Sequence, residues 1–135
     1  MNKVSDLLKG ILAGLSIGIG AAVFLSVDNK IAGAVLFSVG LYVICTQGLN
    51  LYTGKVGYLV TQKEKGRYLG YLMVVWLGNL IGTFVSSWLM SLIRMNISEK
   101  AMSLCTVKNS DSYFSLFVLA IFCGILMYAA VDGYK

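Results

Sequence analysis

The sequence predicts an all-α integral membrane protein, and three observations predict it. Only 13% of the residues are charged and 58% are hydrophobic, whereas soluble domains carry about 25% charged residues. Residues 10–27, 31–54, 68–93 and 112–131 contain no Asp, Glu, Lys or Arg, and each stretch is close to the ~20 residues a helix needs to cross a bilayer. The connections between them are short, so little chain remains for a soluble domain. The expectation is a single transmembrane domain over residues 1–135, with spans at about 8–27, 31–60, 68–93 and 112–131.

The first span follows Lys3 and Lys9 like a signal peptide, but its apolar run of 18 residues exceeds the usual 7 to 15 and more spans follow, so it reads as a retained helix. Gly10, Gly14, Gly18 and Ala22 recur four apart. That spacing makes one face of small residues, against which another helix backbone can pack closely in lipid. Gly78, Gly82 and Ser86 repeat the pattern in the third span.

The second span is the unusual one. Its apolar residues 31–45 make a helix of roughly 22 Å, short of a hydrocarbon core of about 30 Å. A second apolar piece, residues 56–60, follows Thr46-Gln47-Gly48-Leu49-Asn50-Leu51-Tyr52-Thr53-Gly54-Lys55. The economical reading is one crossing made of two half-helices broken near residues 46–55. The alternative is that the span ends near Cys45 and residues 46–55 form a surface loop. Irregular backbone at membrane depth is tolerated only inside protein or along a wet cavity, and such breaks mark substrate paths in transporters. The chain has no proline, so the break must come from Gly48, Gly54 and Gly57, with Asn50 and Thr53 able to pair with freed backbone groups. Lys55 either draws anions toward a pore entrance or snorkels to the headgroups.

Asn79 sits beside the small residues of the third span as a buried polar group that needs a partner, and the interrupted backbone of the second span is the expected one. Tyr71, Trp76 and Trp88 are its bulky residues. Residues 94–111 form a hydrophilic connection that includes the sequon Asn96-Ile97-Ser98. In the last span Phe114, Phe117 and Phe122 read as lipid-facing or packing residues.

A net charge of +5 could suggest nucleic acid, but the cations occupy the short connections and form no continuous face. They report orientation instead. With a cytoplasmic N-terminus, Lys3, Lys9, Lys55, Lys63, Lys65, Arg67 and Lys135 lie inside, against Lys30, Arg94, Lys100 and Lys108 outside. Seven against four favours both termini in the cytoplasm. Cys45, Cys105 and Cys123 form no C-x-x-C pair and the chain has no histidine, so no metal site, cofactor or catalytic residue is expected.

Leu36-Phe37-Ser38-Val39-Gly40-Leu41 followed by Gly48-Leu49-Asn50-Leu51-Tyr52-Thr53-Gly54-Lys55 resembles the formate/nitrite transporter family, where F-S-x-G-L leads to G-x-[DE]-L-[FY]-T-[GS]-[NT]. Gly78-Asn79-Leu80-Ile81-Gly82 is similar to that family's G-N-x-x-G, and Cys123-Gly124-Ile125-Leu126-Met127 more loosely to its C-N-x-L-V. The resemblance implies an aquaporin-like helical bundle in a homo-pentamer of the bacterial cytoplasmic membrane. Each protomer would pass a small anion of the formate, nitrite or hydrosulfide class. It also implies an Ω-shaped gating loop at Leu49 through Gly54, with Thr53 as polar contact and Leu51 and Tyr52 as constriction candidates. Asn50, Lys55 and Gly124 depart from the family pattern, so selectivity is not carried over. Family members have six spans in two inverted halves, with a histidine in the second broken helix. This chain resembles the first half plus the next helix, a partial fold, and is expected to be a truncated or incomplete member. The alternative is a non-transporting membrane interaction or oligomer subunit.

Overall fold

Two asparagine caps start the first two helices. The Asn2 side chain accepts from Val4 N–H to open α1 (Lys3–Ser26), and the Asn29 side chain accepts from Ile31 and Ala32 N–H to open α2 (Lys30–Thr46). Each cap satisfies donors that the first turn of a helix leaves orphaned. Only residues 27–29 join α1 to α2, which makes the two helices antiparallel neighbours. After α2 come α3 (Tyr52–Lys55), a 3₁₀ turn over Val56–Val60, α4 (Lys65–Ser91), α5 (Ser98–Ser110) and α6 (Tyr113–Gly133). This computed structural model describes residues 2–93 and 97–134. Among them there is no strand, and α1, α4 and α6 are long and apolar enough to cross a membrane.

The bundle is built on the pairing of α1 with α4. Its two small-residue faces meet, and a methyl group added at Gly14 would lie 3.0 Å from the Cα of Gly82 and the amide nitrogen of Thr83. One added at Gly78 would lie 2.8 Å from Leu7 O. Both stripes are therefore used inside the chain, where they let the helix backbones approach to van der Waals contact. α2 packs on the other flank of α1, with the Phe24 and Phe37 rings covering Gly33 and Gly20. Ala13, Ile44 and Leu51 form the buried centre, flanked by Ile17, Leu41 and Leu49.

α6 behaves differently. None of its residues is buried, and Phe114, Phe117 and Phe122 are exposed. It docks through its C-terminal end, where Val131 covers Gly54 and Tyr128 covers Gly57. Asn50 is bonded to Lys9 O near the beginning of α1 and Gly54, four residues on, lies under Val131, so the start of α1 and the end of α6 are at the same end of the bundle.

The hydrophilic connection holds a feature not anticipated from its composition, the helix α5. Its low amphipathicity hid it, and all its residues are exposed or half-exposed. Asn96 of the sequon lies outside the described residues, as do Arg94 and Lys135. α5 is tied to the α1–α2 connection by Lys100 Nζ, which donates to Asp28 Oδ1 at 2.7 Å. That hydrogen bond and the lysine charge hold the Asp28 carboxyl below its usual range. A depressed carboxylate adds stability above its unfolded value and loses it as pH falls through the lowered one. Asp28 is fully exposed, so screening leaves the pair with little effect. Asp28→Asn is expected to leave the melting temperature in detergent unchanged at neutral pH, and a clear drop would show that α5 is held chiefly by this pair.

Candidate functional site

α2 and α3 are kept apart by two devices, one local and one supplied from α4. The local one is a Schellman turn at the end of α2. Gly48 takes φ of 60°, its N–H donates to Cys45 O at 3.3 Å, and Leu49 N–H donates to Ile44 O at 2.9 Å. A left-handed glycine lets these bonds satisfy the last carbonyls, and the packing of Leu49 on Ile44 is the apolar contact that accompanies such a turn. A Cβ at Gly48 would meet nothing within 4 Å. Gly48→Ala therefore tests backbone strain alone and is expected to cost about 1–2 kcal/mol, with Gly48→Asn recovering most of it. Chemical or thermal unfolding in detergent reads the difference.

The second device is Asn79. Past the turn, Leu51 is extended, with φ −94° and ψ 124°, and offers no side-chain cap to α3. The Asn79 side chain, from α4, supplies it: its Oδ1 accepts from Tyr52 N–H at 2.8 Å. Its Nδ2 donates to Asn50 O at 2.8 Å and to Gly10 O at 2.9 Å. One amide thus starts the new half-helix, holds the carbonyl before it and ties both to α1. Only Asn and Gln carry an acceptor and two donors on one planar group. Gly10 lets α4 come close enough for that bond, since a Cβ there would sit 3.1 Å from Val75 O and 3.2 Å from Gly78 Cα. Asn50, 5% exposed, adds two more ties to α1, from its N–H to Lys9 O at 3.3 Å and from Nδ2 to Asp6 O at 3.5 Å.

The broken region is shorter than the interval 46–55. Only residues 47–51 leave helical geometry, and Tyr52–Lys55 form α3, so Tyr52, Thr53 and Gly54 stand on a helix and not on an Ω-shaped loop. The cause is the N–H of Tyr52, which finds its cap on another helix. The Thr53 hydroxyl makes no hydrogen bond among the described residues. Gly54 is buried under Val131. Lys55 O accepts from Tyr68 O–H at 2.8 Å, and its side chain lines a cavity of about 130 Å³ with Cys45, Gly48, Leu51 and Val131.

Gly10, Gly14, Gly78 and Gly82 meet along the α1–α4 seam, and Gly18 faces the Ser86 side chain. Gly124 meets nothing within 4 Å of an added Cβ and stands apart from the site. Three participants escaped sequence reasoning. The Tyr58 hydroxyl donates to Asp132, and Tyr128 packs edge-on against the Tyr58 ring with centroids 5.0 Å apart. The available signal was the pair Gly54 and Gly57, two small residues spaced to receive a crossing helix. Among the described residues, no group of three or more His, Cys, Asp or Glu is placed to hold a metal ion.

A family model described as formate/nitrite transporter matches residues 1–132, which takes in the break, the Asn79 clamp and α6. The chain belongs to the formate/nitrite transporter family. No curated relative and no solved structure matches it. Family membership makes this an integral membrane protein of a class that transports small anions.

Proposed function

We propose that this member of the formate/nitrite transporter family passes small monovalent anions of the formate, nitrite or hydrosulfide class along the second crossing. The observation that carries the proposal is the break at residues 47–51, held from a neighbouring helix by the Asn79 side chain, which bonds Asn50 O and Tyr52 N–H and is itself tied to Gly10 O of α1. A polar, non-helical stretch inside an apolar bundle serves transport when it meets a wet path. Thr53 offers its hydroxyl to the anion, and Leu51 and Tyr52 form the narrow apolar collar that a small ion passes by shedding water or taking a proton. The protomer works as a homo-pentamer in a bacterial cytoplasmic membrane with both termini inside. Support for the orientation is the excess of cations at that end, seven against four, together with the shared end of α1 and α6. The wholly unburied α6 gives the protomer a broad apolar surface to lay against lipid and its neighbours.

Transport is favoured over a purely associative role because the small-residue stripes are already filled within the chain. The deciding experiment is efflux of formate and nitrite from proteoliposomes holding the protein. Flux above empty vesicles is expected, and Thr53→Val is expected to cut it about tenfold with unchanged stability, since one hydrogen bond to a charged group is worth ~1.5–3 kcal/mol. Absence of flux from correctly folded protein would overturn the proposal. Flux undisturbed by Thr53→Val would remove Thr53 from the path.

A further inference from the structure

Beside the break lies a cavity of about 130 Å³, walled by Cys45 and Gly48 from the end of α2, Leu51 from the break, Lys55 of α3 and Val131 of α6. Leu51 belongs both to this wall and to the proposed collar, so the cavity adjoins the path. Lys55 and Cys45 are each half-buried, and both keep surface that a solute can touch. Lys55 is also one of the residues that depart from the family pattern, so the pattern does not account for it.

The wall is one-sided in charge. Lys55 is the one charged residue among the described residues that line it, and its charge acts on the Cys45 thiol. The carbonyls that end α2 are engaged: Cys45 O accepts from Gly48 N–H at 3.3 Å and Ile44 O from Leu49 N–H at 2.9 Å. The carboxylate of α6, Asp132, takes the Tyr58 hydroxyl and is not in the wall. Aliphatic carbon makes up most of the rest, and a thiol is a weak acceptor. A half-buried cation gains most from an opposite charge brought into the same space. An ammonium has three N–H donors, so an ion can share it with other groups.

We infer that this cavity is a binding station for one small monovalent anion, held by the Lys55 ammonium beside the break. Volume sets the size of the ion: a water takes ~30 Å³ of liquid, so the space holds a formate or nitrite ion with a water next to it, and a phospholipid headgroup needs more. A single cation in the wall suits a single negative charge. The inference rests on the transport reading, which supplies the ion and its onward course.

The test uses Cys45 as a reporter in the full chain, purified in detergent. Iodoacetate and iodoacetamide are close in size, both alkylate the thiolate, and they differ by one negative charge. A change in thiol reactivity alters both rates alike, so the ratio of the two at Cys45, read by peptide mass spectrometry, reports the attraction of the anion alone. Lys55→Gln is expected to lower that ratio about tenfold, the scale of two unit charges about 4 Å apart in largely aqueous surroundings, and Lys55→Arg to restore most of it. Formate or nitrite, at an ionic strength held constant with gluconate, is expected to slow iodoacetate at Cys45 saturably in the wild-type chain and not in Lys55→Gln, while the exposed Cys105 is unaffected. A ratio that Lys55→Gln leaves unchanged would overturn the inference, as would protection by formate no greater than by gluconate, or a Cys45 that neither reagent reaches. Protection without flux in proteoliposomes would leave the site standing and remove transport, and flux without protection would remove the site and leave transport.

Discussion

Asn79→Leu is expected to abolish formate and nitrite flux in proteoliposomes and to cost about 3–5 kcal/mol of stability, the range for breaking a buried hydrogen-bond network. Leucine is close to asparagine in shape, so the helix seam can still close around it. What disappears is the pairing of Tyr52 N–H, Asn50 O and Gly10 O. Each orphaned buried group costs ~1–3 kcal/mol, and the three share one side chain, so their losses do not add in full. Asn79→Asp separates the roles. A carboxylate can still accept from Tyr52 N–H but offers nothing to the two carbonyls and buries a charge, so it should fold poorly at neutral pH and improve on acidification. Wild-type melting and flux in Asn79→Leu would mean that the break is held by α2 and α6 without the clamp.

The second large effect concerns the seam that delivers Asn79 to its partners. A Cβ at Gly82 would lie 2.8 Å from Leu15 N and 2.9 Å from Gly14 Cα, both backbone atoms of α1. Neither can rotate away. Gly82→Val must push α1 and α4 apart, with an overpacking cost of about 3 kcal/mol, and the displacement draws Asn79 away from Gly10. Flux is expected to fall with stability, even though position 82 is not near the break in sequence. Gly18→Ala meets chiefly the Ser86 side chain, which can turn, so a smaller loss is expected. Gly124→Ala is the control: with open space around it and alanine the better helix former by ~1 kcal/mol, it should leave melting unchanged or raised. A severe loss in Gly124→Ala would show that α6 packs against something other than the helices of this chain.

Much of the architecture was legible because lipid imposes simple rules. Long uncharged runs become helices, since every backbone group must be paired internally. Small residues repeated four apart lie on one helix face, and the two such stripes are the ones that meet. The polar character of Asn79 inside an apolar run was legible as a need for partners, and the incomplete length of the apolar part of α2 pointed to an interruption. The extent of that interruption was not legible. Residues 52–55 have the glycine and polar content of a loop, and they are helical because the first N–H of α3 is capped from α4. α5 escaped notice for a related reason: its apolar and polar residues are mixed around the axis, so no periodicity announces it.

By itself, the sequence determined that this is an all-helical membrane protein and which family it resembles. Those follow from hydropathy, spacing and short motifs, all local properties of the chain. Tertiary structure alone decided which carbonyls Asn79 reaches, that Gly10 lets α1 and α4 close on each other, and that α6 covers Gly54 and Gly57. These depend on the relative rotation and depth of helices far apart in the chain, and no local pattern of residues encodes either.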